Sequence, residues 1–213
     1  MQFSDEIVTL AARAEQDLAP HFARVDRIAF ENTSRIMALF REFRVSDTMF
    51  GTTSGYGYDD RGRDTLDAIW ARAMGTEAAF VRQQIVSGTQ ALTIGLFGLL
   101  RPGDVMLSVA GKPYDTLEEV IGIAGESGNG SLRDFGVEYG QVELSAAGQL
   151  DFPAIKAAMD AAGARLKVVF VQRSKGYLNR RTLTVAEIGE LVTFVKQHAP
   201  DVLIPQWKNG FVG

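Results

Sequence analysis

The segment around Ser87, Gly88 and Thr89, here called the Ser87 junction, has residue types suited to holding a phosphate group. An extended segment is predicted to run through Ile85 into a helix at this point, and the first amides of a helix have no carbonyl partner within it. Those N–H groups, the positive end of the helix dipole and two hydroxyls would together favour an anion. The ordinary alternative is that Ser87 or Thr89 only caps the helix, since both residue types are common caps.

A second candidate is the turn formed by residues 112–116, directly after a predicted buried strand. Ligands of open parallel sheets bind beyond the carboxyl ends of the strands, so Tyr114 is predicted to lie where a cofactor ring could bind. The alternative is that Tyr114 only anchors the turn, while Asp115 or Thr116 caps the next helix.

Two further segments place arginine beside tyrosine or other polar residues. The loop 55–63 contains two tyrosines and two arginines, and arginine can donate paired hydrogen bonds to phosphate or carboxylate. Asp59 and Asp60 could instead neutralise the arginines of a solvated loop. Residues 172–177 follow the strongest predicted strand and are either a binding segment or a simple strand exit.

Strands that alternate with helices are predicted to position these segments. The alternation indicates an α/β fold with three layers, in which a mainly parallel sheet has helices on both faces. The predicted helices cover residues 64–74, 89–100, 115–123, 151–162 and 184–198, and the predicted extended segments cover 79–86, 104–109, 137–144, 167–172 and 202–204.

Residues 1–49 are predicted to form an N-terminal helical arm, because their apolar side chains recur every three or four positions. Pro20 is predicted to separate two helices, in the first turn of the second, where proline is tolerated. Residues 50–213 form the second predicted domain, in which the glycine-rich residues 125–130 are expected to be a mobile loop.

Composition argues against several functions. A net charge of −4 does not suit a nucleic-acid surface. The sequence shows neither a signal-peptide pattern nor an apolar run of the roughly 18 residues that a membrane span needs, so we expect a cytoplasmic protein. The chain has no cysteine and only two histidines, His21 and His198, which argues against disulfides, thiolate catalysis and a cysteine or multi-histidine metal site.

Taken in order, the motifs of residues 50–201 resemble the methionine gamma-lyase-like, or aluminium-resistance, proteins. These are fold-type-I pyridoxal-phosphate enzymes related to the cystathionine lyases. The motifs are YGYDD (56–60), GRDTL (62–66), QIVSGT (84–89), LRPGD (100–104), GKPYDTLEEVIG (111–122) and QRSKGY (172–177).

The resemblance implies roles for specific residues. Ser87, Gly88 and Thr89 would bind the phosphate of pyridoxal 5'-phosphate, and Tyr114 would stack on its pyridine ring. Tyr58 and Arg63 would also bind the cofactor. They are placed like the tyrosine and arginine that, in the family, reach across a dimer interface to the partner's phosphate.

The resemblance also implies a fold and an activity. Residues 50–213 would be part of the pyridoxal-phosphate-binding large domain of fold-type-I transferases. The expected activity is that of a carbon–sulfur lyase of the transsulfuration type, acting on a small amino acid, with a homodimer as the functional unit.

The end of the sequence departs from the family pattern. Pyridoxal-phosphate chemistry needs a Schiff-base lysine and an acidic group at the pyridine nitrogen. Asp201 precedes the strand that should end in this aspartate, Pro205 would interrupt that strand, and Lys208 has neighbours unlike the family's lysine segment. We therefore expect a C-terminally truncated, incomplete and inactive lyase chain.

Two alternatives stay open at this point. One is a non-catalytic module, derived from the same fold, that binds phosphate or cofactor or serves dimerisation. The other is an unrelated α/β protein in which the Ser87 junction binds a different phosphorylated ligand.

Overall fold

The computed structural model describes residues 3–53, 60–173, 175 and 178–207. Contacts divide the chain into two compact units, which meet in the sequence between Gln84 and Ile85. The domain boundary near residue 50 stays a prediction from the sequence. Within the described residues, no helix combines the length and the apolar character that crossing a membrane requires.

The N-terminal arm is one continuous helix, α1 (Asp5–Glu42), of 38 residues. The prediction that Pro20 separates two helices is wrong, because Pro20 lies inside α1. An internal proline costs a helix about 3 kcal/mol through a lost hydrogen bond and a steric conflict. Residues 11–19 are mostly alanine, leucine and long polar residues, whose high helix propensity offsets that cost.

A short 3₁₀ helix (Asp47–Phe50) and helix α2 (Arg61–Met74) follow in the first unit. Gly62 lies directly against the backbone of Met49. A Cβ atom at position 62 would overlap the carbonyl oxygen of Met49. This close approach therefore requires glycine.

The first unit has a small core. Among its described residues, the buried apolar side chains are Leu39, Ile69 and Ala73. Leu39 is the only buried residue of α1. The apolar side chains along the rest of this helix are exposed, as illustrated by Phe22 at 53% and Val25 at 59%.

The second unit alternates helices and strands, as predicted. Its strands form a parallel sheet in the order β2-β1-β3-β4. The elements are α3 (Gly88–Leu99), β1 (Val105–Ser108), α4 (Asp115–Ile121), β2 (Glu138–Gln141), α5 (Phe152–Ala162), a 3₁₀ turn (Gly163–Arg165), β3 (Leu166–Gln172), α6 (Val185–His198) and β4 (Gln206–Trp207).

Helices cover both faces of this sheet, which confirms the three-layer α/β prediction. Successive side chains of a strand point to opposite faces. Accordingly, Phe170 of β3 packs in one apolar cluster with residues of α3 and α4, whereas Val169 packs in the other with residues of α5 and α6. Each cluster is assembled around β1 and β3, the central strands.

Two predicted extended segments differ in the structure. Residues 79–86 form no strand, because their backbone is bonded to a helix side chain instead: Asp67 of α2 accepts the N–H of Val81 at 2.7 Å. The strand expected at 202–204 is reduced to a bridge between Leu203 and Val168, and β4 begins after Pro205. Proline has no N–H to donate to the ladder.

The glycine-rich segment 125–130 is a loop whose backbone is hydrogen-bonded to one carboxylate. The Asp134 carboxylate accepts the backbone N–H groups of Gly128, Gly130 and Ser131 and the hydroxyl of Ser131, at 2.9–3.0 Å. These bonds favour the ionised carboxylate and lower the pKa of Asp134 to about 2, and the bond from the Gly128 N–H has the largest effect.

Candidate functional site

The Ser87 junction begins helix α3. Ser87 is the N-cap residue, and its Oγ accepts the backbone N–H of Gln90 at 3.1 Å. The Gln90 side chain in turn accepts the N–H of Val86 at 2.8 Å. The capping alternative is therefore observed, but it leaves the Ser87 hydroxyl proton available for a ligand, because the oxygen is the acceptor in this bond.

The next two residues supply the amides of the junction. Gly88 and Thr89 occupy the first positions of α3, where a backbone N–H has no carbonyl four residues earlier in the helix. Ser87 is exposed, and Gly88 and Thr89 are half-buried. The junction thus presents two amides and a hydroxyl at the positive end of a helix of 12 residues.

The structure brings the turn of residues 111–116, called the Tyr114 turn, next to this junction. The hydroxyl oxygens of Thr89 and Thr116 lie 2.8 Å apart. Tyr114 is half-buried and is the N-cap residue of α4, without a side-chain cap bond. The predicted phosphate-binding residues and the predicted ring-stacking residue therefore share one edge of the second unit.

The Tyr114 turn is also fixed to the sheet. The Ser108 hydroxyl at the end of β1 donates to the carbonyl of Gly111 at 2.7 Å. Gln172 at the end of β3 accepts the backbone N–H of Tyr114 through its Oε1 at 2.7 Å. Both contacts come from the carboxyl ends of central strands, where ligands of open α/β sheets bind.

The charged groups of this turn have partners in the turn itself or in α4. Lys112 Nζ lies 2.9 Å from Glu118 Oε1, and Asp115 Oδ1 accepts the backbone N–H of Thr116 at 2.8 Å. The bonds of Ser87 and Thr89 among the described residues all involve neutral groups. A cationic side chain would strengthen the binding of a phosphate at this junction.

The opposite end of α3 is closed by a cation. The guanidinium of Arg101 donates through Nη1 to the carbonyls of Phe97, Gly98 and Leu100 at 2.8–3.1 Å. A positive charge here is favourable, since the last carbonyls form the negative end of the helix dipole.

Arg63 belongs to the first unit, in α2. Its backbone N–H is bonded to Asp60, the N-cap of α2, at 2.9 Å, a bond that lowers the pKa of the Asp60 carboxyl. Its Nε is buried without a hydrogen bond among the described residues and lies 3.8 Å from the exposed Asp64. Arg63 lines a cleft of about 590 Å³ together with Thr65, Arg82 and other first-unit residues. The predicted site residue Tyr58 lies outside the described residues.

The segment after β3 is only partly described. Arg173 Nε donates to the carbonyl of Leu183 at 3.1 Å, a structural contact. Arg180, which sequence reasoning did not single out, donates through Nη2 to the carbonyl of Gln172 at 3.1 Å. Burial lowers the pKa of the Arg180 guanidinium, and the charge of Glu143 opposes this shift.

Comparison with known proteins identifies the family. A sequence model described as methionine gamma-lyase matches residues 7–207. The chain belongs to the methionine gamma-lyase family. It is also 45% identical over 194 residues to the uncharacterized protein YnbB of Bacillus subtilis (strain 168), covering 91% of this chain and 45% of YnbB.

Solved structures of family members are similar throughout the chain. A carbon–sulfur lyase involved in aluminum resistance from Clostridium novyi NT is 40% identical, with a TM-score of 0.89, over 95% of this chain and 48% of that one. A proposed cystathionine beta-lyase involved in aluminum resistance from Listeria innocua is 43% identical, with a TM-score of 0.88. The match covers 97% of this chain and 49% of that one. The chain therefore spans about half the length of these relatives.

Proposed function

We propose that this chain forms the cofactor-phosphate-binding part of a pyridoxal-phosphate-dependent carbon–sulfur lyase that acts on a small sulfur-containing amino acid. The observation that carries the proposal is the 2.8 Å contact between Thr89 and Thr116, which places the Ser87 junction beside Tyr114. A phosphate site beside a turn that carries a tyrosine suits a phosphorylated pyridine, on whose ring a tyrosine can stack. Family membership and the lyase relatives support the same chemistry.

The described residues fit the cofactor's phosphate. The amides of Gly88 and Thr89 and the hydroxyl of Ser87 would hold phosphate oxygens at the positive end of α3. Either hydroxyl can donate in the contact between Thr89 and Thr116. When Thr116 donates, the Thr89 hydroxyl keeps its own proton for the ligand. When bound, pyridoxal phosphate supplies an electron sink for bond breaking at an amino acid.

A homodimer is the second part of this proposal. The hydrogen bonds that Ser87 and Thr89 make among the described residues are with neutral groups, and a guanidinium would strengthen the binding of an anion there. Arg63 is the source that the family resemblance suggests, and its side chain is partly exposed. A second copy would bring this arginine, and would cover the exposed apolar side chains of α1.

A non-catalytic binding module is the competing function, and one contact favours it. Lys112, the lysine nearest in sequence to Tyr114, is ion-paired with Glu118 at 2.9 Å. This ion pair engages the amine with a carboxylate of α4 rather than leaving it directed at a ligand. Cofactor binding and covalent attachment must therefore be tested separately.

The test of the proposed site is a titration of the protein with pyridoxal phosphate. Ser87→Ala combined with Thr89→Ala should weaken binding at least about tenfold, because hydrogen bonds to charged groups are the stronger kind. The matched control is Ser145→Ala with Thr193→Ala, whose hydroxyls also bond backbone groups in the second unit. Unchanged affinity in the junction variant would reduce Ser87 and Thr89 to structural residues.

Borohydride reduction of the complex, followed by peptide mapping, separates the two functions. One labelled lysine would support lyase-type attachment by this chain. Binding that depends on the Ser87 junction but labels no defined lysine would support the module.

A further inference from the structure

Gln172 is an unusual residue for its position. It ends β3, whose sequence LKVVFVQ is otherwise almost entirely apolar and buried. Gln172 is 2% exposed, and the only other buried polar side chains among the described residues are Ser108 and Ser131. Burial of an amide side chain is unfavourable unless its polar atoms are hydrogen-bonded, so its presence calls for a specific partner.

That partner is the backbone of Tyr114. The Gln172 Oε1 accepts the Tyr114 N–H at 2.7 Å, across the gap between the carboxyl ends of β3 and β1. The backbone of Gln172 is itself held, because Arg180 donates to its carbonyl at 3.1 Å. The bond therefore joins Tyr114 to a fixed point of the central sheet.

A second bond holds the other end of the same turn. Thr116 contacts Thr89 of the Ser87 junction at 2.8 Å. The residue between the two anchored positions is Asp115, so the backbone that carries the Tyr114 ring is held toward both the sheet and the junction. A backbone already fixed at two points has little further freedom to lose when the side chain that it carries contacts a ligand.

We propose that Gln172 is a positioning residue that holds Tyr114 against the pyridine ring of a cofactor whose phosphate binds at the Ser87 junction. This inference rests on the proposed function. It assigns to Gln172 no contact with the cofactor, only the placement of the residue that makes one.

The experiment compares two ligands, pyridoxal phosphate and inorganic phosphate, by calorimetric titration of the full chain. Inorganic phosphate needs the Ser87 junction only, whereas pyridoxal phosphate also needs the ring contact. Gln172→Met removes the acceptor oxygen but keeps a side chain of similar length. It should lower the affinity for pyridoxal phosphate about fivefold, which corresponds to the loss of one typical hydrogen bond. The affinity for inorganic phosphate should not change, and the visible circular dichroism per bound cofactor should fall.

A double-variant cycle shows whether Gln172 acts through Tyr114. In the Tyr114→Ala background, Gln172→Met should cause no further loss of pyridoxal-phosphate affinity. An equal loss in both backgrounds would overturn the inference, and so would an equal loss for both ligands, since a merely structural role lowers all binding.

A second variant keeps the test decisive if Gln172→Met does not fold. Gln172→Glu retains an acceptor oxygen, and should keep the wild-type ratio of the two affinities. A lowered ratio, or failure of both variants to fold, would overturn the inference. If the wild type binds neither ligand, the proposed function fails too; if it binds both and Gln172→Met changes neither, only the role of Gln172 is lost.

Discussion

The two compact units bury their apolar side chains to very different extents. In the second unit both faces of the sheet are covered, and Val169, Phe170 and Leu191 are completely buried. In the first unit only three apolar residues are buried among those that the structure describes, and α1 leaves most of its apolar side chains in contact with solvent. The difference indicates that the second unit is stabilised by its own core, whereas α1 would gain stability by covering its apolar surface.

The largest effect is expected in the core of the second unit. Phe170→Ala should lower the free energy of unfolding by about 3–5 kcal/mol, because it leaves a cavity beside β1 and α3. Urea denaturation followed by circular dichroism measures this change. Phe30→Ala on α1, where the ring is 73% exposed, is the matched control and should change stability by less than about 0.5 kcal/mol. Similar losses in both variants would break the contrast between the units.

The next effect concerns the exposed apolar side chains of α1. Phe22→Asp with Val25→Asp should raise the dimer dissociation constant at least about a hundredfold, because each apolar side chain covered by a partner contributes about 1.5–3 kcal/mol. Sedimentation equilibrium measures it. Ala23→Asp with Ser34→Asp adds the same charge on the opposite side of the helix, and should leave association unchanged. A monomeric wild type would contradict the proposed homodimer.

The smallest effect is a pH dependence within the second unit. The pKa of Asp134 is lowered from 3.8 to about 2 in the folded chain, so its ionised form stabilises the fold above about pH 4. That contribution is lost as the pH falls from about 4 toward 2, when the folded carboxylate becomes protonated.

Thermal unfolding of Asp134→Asn at several pH values checks this sign. The variant should melt below the wild type at neutral pH, and the difference should shrink toward pH 2. The neighbouring exposed Glu126→Gln is the control, and should show no such convergence. A difference that is independent of pH would assign the effect of Asp134 to side-chain shape rather than to charge.

The fold of the second unit could be predicted because local pattern and tertiary structure agree there. β3 is an apolar run, and α6 begins at a capping box formed by Thr184 and Glu187. The errors arise where side chains compete with the backbone pattern. Asp67, for example, takes the N–H of Val81 from a possible strand.

The candidate site was predicted in parts but not in its connections. Ser87 and Tyr114 could be proposed as site residues because a polar residue at a strand end or a helix start is a local signal. The contact of Thr89 with Thr116 joins residues 27 positions apart, and that of Gln172 with Tyr114 joins residues 58 apart. Such contacts depend on how the helices and strands pack, which no local pattern records.

Gly62 has a consequence for comparing chains of this kind. The carbonyl of Met49 occupies the space that any side chain at position 62 would need. A sequence with another residue there can align well along its whole length and still require a different path for the backbone of residues 47–50. The identity of this one residue therefore indicates whether the geometry between the 3₁₀ helix and α2 can be transferred from one chain to another.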